Sequence, residues 1–233
     1  MGKSKDLATG NSAAYVETAG DTMSGTLNVN GGNIYLAEDD AAAHRYMFLN
    51  TGASQDGHIV LQRGLANKYQ VTAKTDNSYS IYGYPASGEV FNINSSGIVT
   101  KPYQPAFMAY GSGTYTNRGT GAIEYSTAVF NQGNHYSTST YTFTAPVSGV
   151  YHFSAGAIAH ASFTAAGGIF IEKNSTHYLK DYQETGSRSR TVSGTINCAA
   201  NDAIKVRIES SGSGGDYYYL GAGYGWFSGH LIG

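Results

Sequence analysis

An all-β fold follows from three features of this sequence. Charged residues make up only 13% of the chain, while glycine occurs 31 times and tyrosine 20 times, a balance that suits short strands and tight turns and not amphipathic helices. Aromatic and β-branched residues recur in near alternation, most clearly over Tyr141 to Ala145 and Gly149 to Ala157. Between those runs stands Pro146-Val147-Ser148-Gly149, where proline lacks the amide a ladder needs and glycine can take a positive φ, so the unit reads as two antiparallel strands about a turn.

Taken in order, residues 1–20 are small and polar and are expected to form a flexible segment continuing a longer parent chain. Residues 21–101 repeat a looser pattern, glycine followed by alternating apolar residues: Gly25 to Val29, Gly32 to Leu36, Gly57 to Leu61, Gly88 to Ile93 and Gly97 to Val99. These are short strands with few large aliphatic residues, so packing from neighbouring chains is expected and the region reads as a β-rich trimeric shaft or collar. A small independent β domain with a poor core is the alternative. Lys101-Pro102-Tyr103-Gln104-Pro105 reads as an extended linker, because two prolines three residues apart end any preceding ladder. The last domain, 102–233, then begins its first strand at Ala106.

Strands are expected at Ala106 to Tyr110, Tyr141 to Ala145, Val150 to Ala159, Ile169 to Lys173, Thr176 to Tyr182, Ser189 to Cys198, Ala203 to Ser210 and Tyr224 to Ile232. Successive antiparallel strands reverse direction, so counting from a first strand that points away from the shaft assigns the loops to two ends. The Pro146 to Gly149 turn falls at the base. Loops near His160 to Gly168, Gln183 to Arg188 and Ser211 to Gly223 fall at the far tip.

The third of these carries Asp216-Tyr217-Tyr218-Tyr219 between glycines, an arrangement able to display rings on a sharply bent loop. Tyrosine offers large contact area at low entropic cost, which makes Asp216, Tyr217, Tyr218 and Tyr219 candidate receptor-binding residues. Strand alternation supplies the competing arrangement, in which Tyr217 and Tyr219 are buried or at a subunit interface and Tyr218 alone is exposed. Trp226 is expected in the core. Tyr182, Glu184, Arg188 and His160 in the other tip loops form a candidate rim, which is otherwise simply a solvated face.

Two stretches resemble known families. Ala19-Gly-Asp21-Thr-Met23-Ser-Gly25-Thr-Leu27 resembles the G-D-T-M-[ST]-G-x-L repeat of bacteriophage tail fibres. Phe143-Thr-Ala-Pro-Val-Ser-Gly-Val-Tyr151-His-Phe-Ser154 resembles the central signature of C1q/TNF-like jelly-roll domains, and Gly168-Ile-Phe-Ile-Glu-Lys-Asn174, Val192-Ser-Gly-Thr-Ile196, Asn201-Asp202 and Phe227-Ser-Gly229 follow in that family's order. His230 stands where the family's closing phrase carries an aromatic residue. Together the resemblances imply a shaft followed by a jelly-roll β-sandwich, a homotrimer, and a place on the virion at the distal tail fibre after synthesis in a host cytoplasm. The implied function is attachment to a host-cell surface polysaccharide or protein receptor, with the rest of the fibre as the N-terminal partner. A structural trimerisation cap and a polysaccharide depolymerase are the alternatives.

No reactive constellation is legible. The seven histidines form no H-x-H or H-E-x-x-H pair, no G-x-S-x-G elbow occurs, and Cys198 lacks a zinc-ligand partner, so it reads as a buried structural thiol and the chain as no enzyme. Asp202 reads as a turn residue, and Asn174-Ser-Thr176 as a turn and not a glycosylation site. A net charge of −2 argues against nucleic acid, and no apolar run approaches membrane-spanning length. Some C1q-like domains bind calcium, so the resemblance admits that ion, but no run of closely spaced oxygen ligands supports it and no cofactor is expected.

Overall fold

The computed structural model describes residues 53–63, 65–111, 113, 114, 116, 117, 121–159, 166–184, 189–210 and 217–233. The segment 1–20, the Gly20 to Leu27 motif and the expected strands near 25–29 and 32–36 lie outside them. Seventeen strands and no helix occupy the described residues.

The first five strands form an antiparallel meander: β1 (Gly57–Arg63), β2 (Ala66–Ala73), β3 (Tyr79–Gly83), β4 (Gly88–Ile93) and β5 (Val99–Thr100). Strands β1, β4 and β5 fall on the glycine-led segments read from the sequence, whereas β2 and β3 lie outside them. The turn into β3 uses Asn77 at φ 63°, with the Ser78 amide donating to Asp76 Oδ1 at 2.9 Å. Burial is sparse: Thr72, Ser78, Ser80 and Gly83 are covered, while Ile59, Val60, Leu61 and Leu65 stand exposed. The ladder is completed within one chain, but its apolar side chains are left for something else to cover.

Residues 101–105 are tied down and do not form the free extended linker that two prolines suggest. Tyr103 Oη donates to the Ala86 carbonyl at 2.8 Å, Gln104 Nε2 to the Leu231 carbonyl at 2.7 Å, and Gln132 Nε2 to the Gln104 carbonyl at 2.6 Å. Glutamine side chains supply the bonds that a proline-containing backbone cannot.

The remaining strands build a two-sheet sandwich. One sheet runs β13 (Thr176–Gln183), β12 (Gly167–Lys173), β15 (Ala203–Ser210), β10 (Thr142–Thr144), β9 (Tyr136–Ser137). The other centres on β11 (Gly149–Ala159), paired on one side with β14 (Ser189–Cys198) and on the other with β17 (Trp226–Leu231), beyond which lie β6 (Ala106–Tyr110) and β8 (Thr127–Gln132). Past the end of β17, β16 (Tyr217–Tyr219) pairs with Ile158 and Ala159 of β11 and with β7 (Thr116–Asn117).

Between the sheets lies an aromatic core. Phe107 stacks on Tyr136 at 4.7 Å and on Phe143 at 5.0 Å, and Phe227 meets Phe107 edge-on at 4.8 Å. Ile169, Ile171, Ile204, Val206 and Ile208 close it from the facing sheet. The buried Tyr125 hydroxyl donates to the Gly156 carbonyl at 2.9 Å and Tyr136 Oη to the Tyr125 carbonyl at 2.8 Å, so neither ring carries an unmet polar group into the core. Desolvation raises the phenol pKa of both. Cys198 is buried in the same cluster, and desolvation also raises its thiol pKa, in keeping with a structural role.

Registers place the two ends as counting predicts. His230 lies opposite Ala106 and Lys173 opposite Ile204, so the 101–105 segment, the 146–148 turn and the β12–β13 turn share the base. That last turn holds Asn174 and Ser175 at φ 49° and 67°, the two-residue reversal that a twisted hairpin requires. Asp202 completes the base as a turn residue: its Oδ1 accepts from Asn174 Nδ2 at 2.6 Å and its Oδ2 from the Ala199 amide at 2.9 Å.

Candidate functional site

Two surfaces are candidates, the distal tip and the outer face of the sheet centred on β11. At the tip, the tyrosine triplet turns the opposite way to the arrangement in which Tyr218 alone is exposed. Tyr218 lies opposite Ala159, an inward position of β11, and is completely buried; Tyr219 lies opposite Ile158 and points outward, half-buried. Tyr219 meets Tyr224 edge-on at 5.3 Å. Tyr218 is therefore a core residue and leaves the candidate recognition set, while Tyr224, 54% exposed, presents the ring that the triplet was expected to supply. Tyr217 belongs to β16 through its pairing with Asn117.

From the rim, Tyr182 is 46% exposed at the end of β13 and Glu184 is exposed beyond it. Asp181 is held by its neighbours, Oδ2 accepting from the Thr191 amide at 3.1 Å and Oδ1 from Gln183 Nε2 at 3.3 Å, which fixes the strand end that carries Tyr182. Arg190 turns inward and is fully buried, so it contributes no charge to the rim. His160, Arg188 and Asp216 lie outside the described residues. The structure thus brings Tyr182, Glu184 and Tyr219 to the same end of the sandwich without converging them on one pocket.

The second surface was not singled out by sequence reasoning. Strands β6, β7, β8, β11, β14, β16 and β17 contain no Asp, Glu or Lys, and their single Arg, Arg190, is buried. The strands of the facing sheet carry Glu172, Lys173, Lys180, Asp181, Lys205, Arg207 and Glu209. Outward on the neutral sheet stand Met108, Tyr110, Val150, Ile158 and Trp226, with Val129 57% and Phe130 50% exposed on β8. A row of Ser189, Thr191, Ser193, Thr195 and Asn197 alternates outward along β14.

Trp226 belongs to this face and not to the core, because Phe227 takes the inward position. Its indole lies over Gly156: a Cβ built there would fall 2.5 Å from Cη2 and 2.6 Å from Cζ3. The indole Nε1 donates to Ser154 Oγ at 3.2 Å. Two rows below Trp226, His152 and His230 face each other across the β11–β17 ladder with ring centroids 5.5 Å apart. The signal for the face was present in the sequence, as strands whose polar positions hold only Ser, Thr, Asn, Gln and His, but it becomes a surface only once the strands are placed side by side.

An antiparallel sandwich with one charged and one neutral outer face has the character of a binding or assembly module, and no catalytic family is indicated for it. The C1q domain model matches residues 106–232, and the chain belongs to the C1q domain family. Among solved structures, the chain is similar to the globular domain of zebrafish complement 1qA protein, with 18% identity over 56% of this chain and 98% of that one, at a TM-score of 0.43. It is also similar to murine APRIL, with 10% identity over 55% and 99% of the respective chains, at a TM-score of 0.41. None of the curated proteins matches it.

Proposed function

We propose that this chain is the distal part of a bacteriophage tail fibre, a receptor-binding protein whose C1q-type head assembles as a homotrimer and presents its tip to a host-cell surface glycan or protein. The observation that carries the reading is the neutral outer face of the β11 sheet. Charge depletion with outward-facing Trp, Tyr, Phe and Met is the composition of an interface core, and a second copy of the same uncharged surface is the occupant it fits. Exposed Ile59, Val60 and Leu61 on the first meander strand add a second apolar region that neighbouring copies would cover. The Gly20 to Leu27 motif, similar to tail-fibre repeats, supports the viral setting. Trimerisation makes three weak tip contacts act together, which suits attachment to a repetitive cell-surface polymer.

Light scattering is expected to give three times the 24.6 kDa chain mass. Adsorption of the purified protein to candidate host cells, competed by extracted surface polysaccharide, tests the receptor role; a trimer that adsorbs to no host refutes it. That outcome would favour the second reading, a structural cap with no receptor site of its own, which the burial of Tyr218 supports.

A further inference from the structure

We propose that His152 and His230 form a bis-imidazole site for a borderline divalent transition ion such as zinc. The two residues are direct cross-strand partners, in a row across the sheet that reads Ala106, His230, His152, Thr195. Small side chains, Ala106 and Thr195, flank the imidazoles within that row, and the next row holds Met108, Ser228, Ser154 and Ser193. His152 is half-buried and His230 exposed, which leaves the pair open to solvent while its backbone is held in the ladder.

The separation of the rings suits chelation. Zinc lies about 2.0–2.1 Å from a histidine nitrogen, and the ring centre about 1.1 Å further, so two imidazoles at a tetrahedral angle place their centroids about 5.2 Å apart. An octahedral right angle would bring them to about 4.5 Å on the same bond lengths. The observed 5.5 Å agrees with the tetrahedral figure, the geometry preferred by zinc.

Among the described residues no group of three or more His, Cys, Asp and Glu converges, so one chain supplies two ligands and leaves the other positions open. Where the neutral face packs against copies of itself, a step that rests on the trimer proposed above, a neighbouring copy would have to supply the ligands that complete the tetrahedral set. The ion would then join subunits as well as strands.

Zinc chloride titrated into the metal-stripped 233-residue chain by calorimetry, with light scattering on the same samples, tests the site. Loss of even an outer partner of a metal ligand weakens binding about 10–100-fold. His152→Ala and His230→Ala are therefore each expected to lower zinc affinity at least about tenfold, while His135→Ala, off this face, leaves it unchanged. His152→Gln, with circular dichroism as the check on folding, repeats the test with a side chain that keeps the volume. Zinc affinity within twofold of the parent in the folded His152→Gln variant, or no saturable binding by the parent below millimolar zinc, overturns the proposal. The mass separates the two readings: a trimer that takes no zinc sinks only the metal site, whereas a monomer that binds zinc through this pair upholds the chelate and sinks the trimer.

Discussion

Replacing Gly156 by alanine is the most direct way to disturb the neutral face without adding charge. Gly156 shows no positive φ, so alanine brings no backbone strain there. Its Cβ would fall 2.5, 2.6 and 2.7 Å from three carbons of the Trp226 ring, where ordinary contact needs about 3.5 Å, so the indole must move out by roughly 1 Å. Moving it lengthens the 3.2 Å bond from Nε1 to Ser154 Oγ and lifts the ring from its seat. Overpacking against a half-buried ring that can swing away costs about 1–2 kcal/mol, the lost hydrogen bond included. For a chain of this size that is a fall of about 2–8 °C in Tm. Trp226 is the only tryptophan, so fluorescence reports this one contact: a red-shifted emission is expected together with the lower Tm. Ser154→Ala should remove the hydrogen bond but leave the ring seated, with under about 1 kcal/mol lost and little spectral shift. If the face assembles copies, Gly156→Ala also raises the concentration at which the mass falls to one chain. Unchanged emission and stability in Gly156→Ala would refute the seating of the indole, and with it the claim that Trp226 shapes this surface.

Three further outcomes follow from the same structure. Asp202→Asn is expected to cost about 1–3 kcal/mol, since the carboxylate accepts from Asn174 and the Ala199 amide and lies 3.5 Å from Lys173 Nζ. The Asn174 bond first, then the Ala199 amide, holds its pKa below the usual value; its stabilisation is therefore full above the unfolded carboxyl range near 3.9 and is lost as pH falls through the folded value. Urea midpoints measured from pH 7 to pH 2 should accordingly fall more steeply for the parent than for the variant, and parallel profiles would contradict the assignment. Cys198 should resist a thiol reagent in the native protein and react on unfolding in urea; rapid native labelling would mean that the thiol is not buried as described. Tyr218→Ala should destabilise the head by about 3–5 kcal/mol, whereas Tyr182→Ser should leave Tm within about 1 °C and reduce host-cell adsorption. The reverse pattern would return Tyr218 to the surface.

Much of the strand pattern of the head was legible because strands such as β14 alternate cleanly: Ser189–Cys198 and Ala203–Ser210 emerge with the expected bounds, and Gly149–Ala159 begins one residue earlier. Strands β2 and β3 were missed because Asn67, Lys68, Gln70 and Ser80 dilute the apolar signal in a sheet that buries almost nothing. The tip was harder. Three consecutive tyrosines contain no phase of their own, so which ring faces inward is decided by the pairing of Tyr218 with Ala159, a contact across 59 positions of chain. Tyr224 was passed over for the related reason that its partner ring, Tyr219, is brought to it by the glycine-rich turn between them.

The same logic explains why the proposed histidine pair matches no motif in the sequence. His152 and His230 are 78 positions apart and match no spacing motif, because a cross-strand pair is defined by register and not by sequence separation. Register here is set by core residues: Phe153 and Phe227 point inward on either side of the same ladder, and a slip of one residue in either strand would carry its phenylalanine out of the core and its imidazole into it. The aromatic core therefore fixes what meets on the outer face, though it touches none of it. Substitutions that keep the inward phenylalanines preserve the pairing whatever they do to the tip loops. Recognition at the tip is thereby free to vary, while the face that would join copies, and hold any ion between them, stays tied to the packing of the fold.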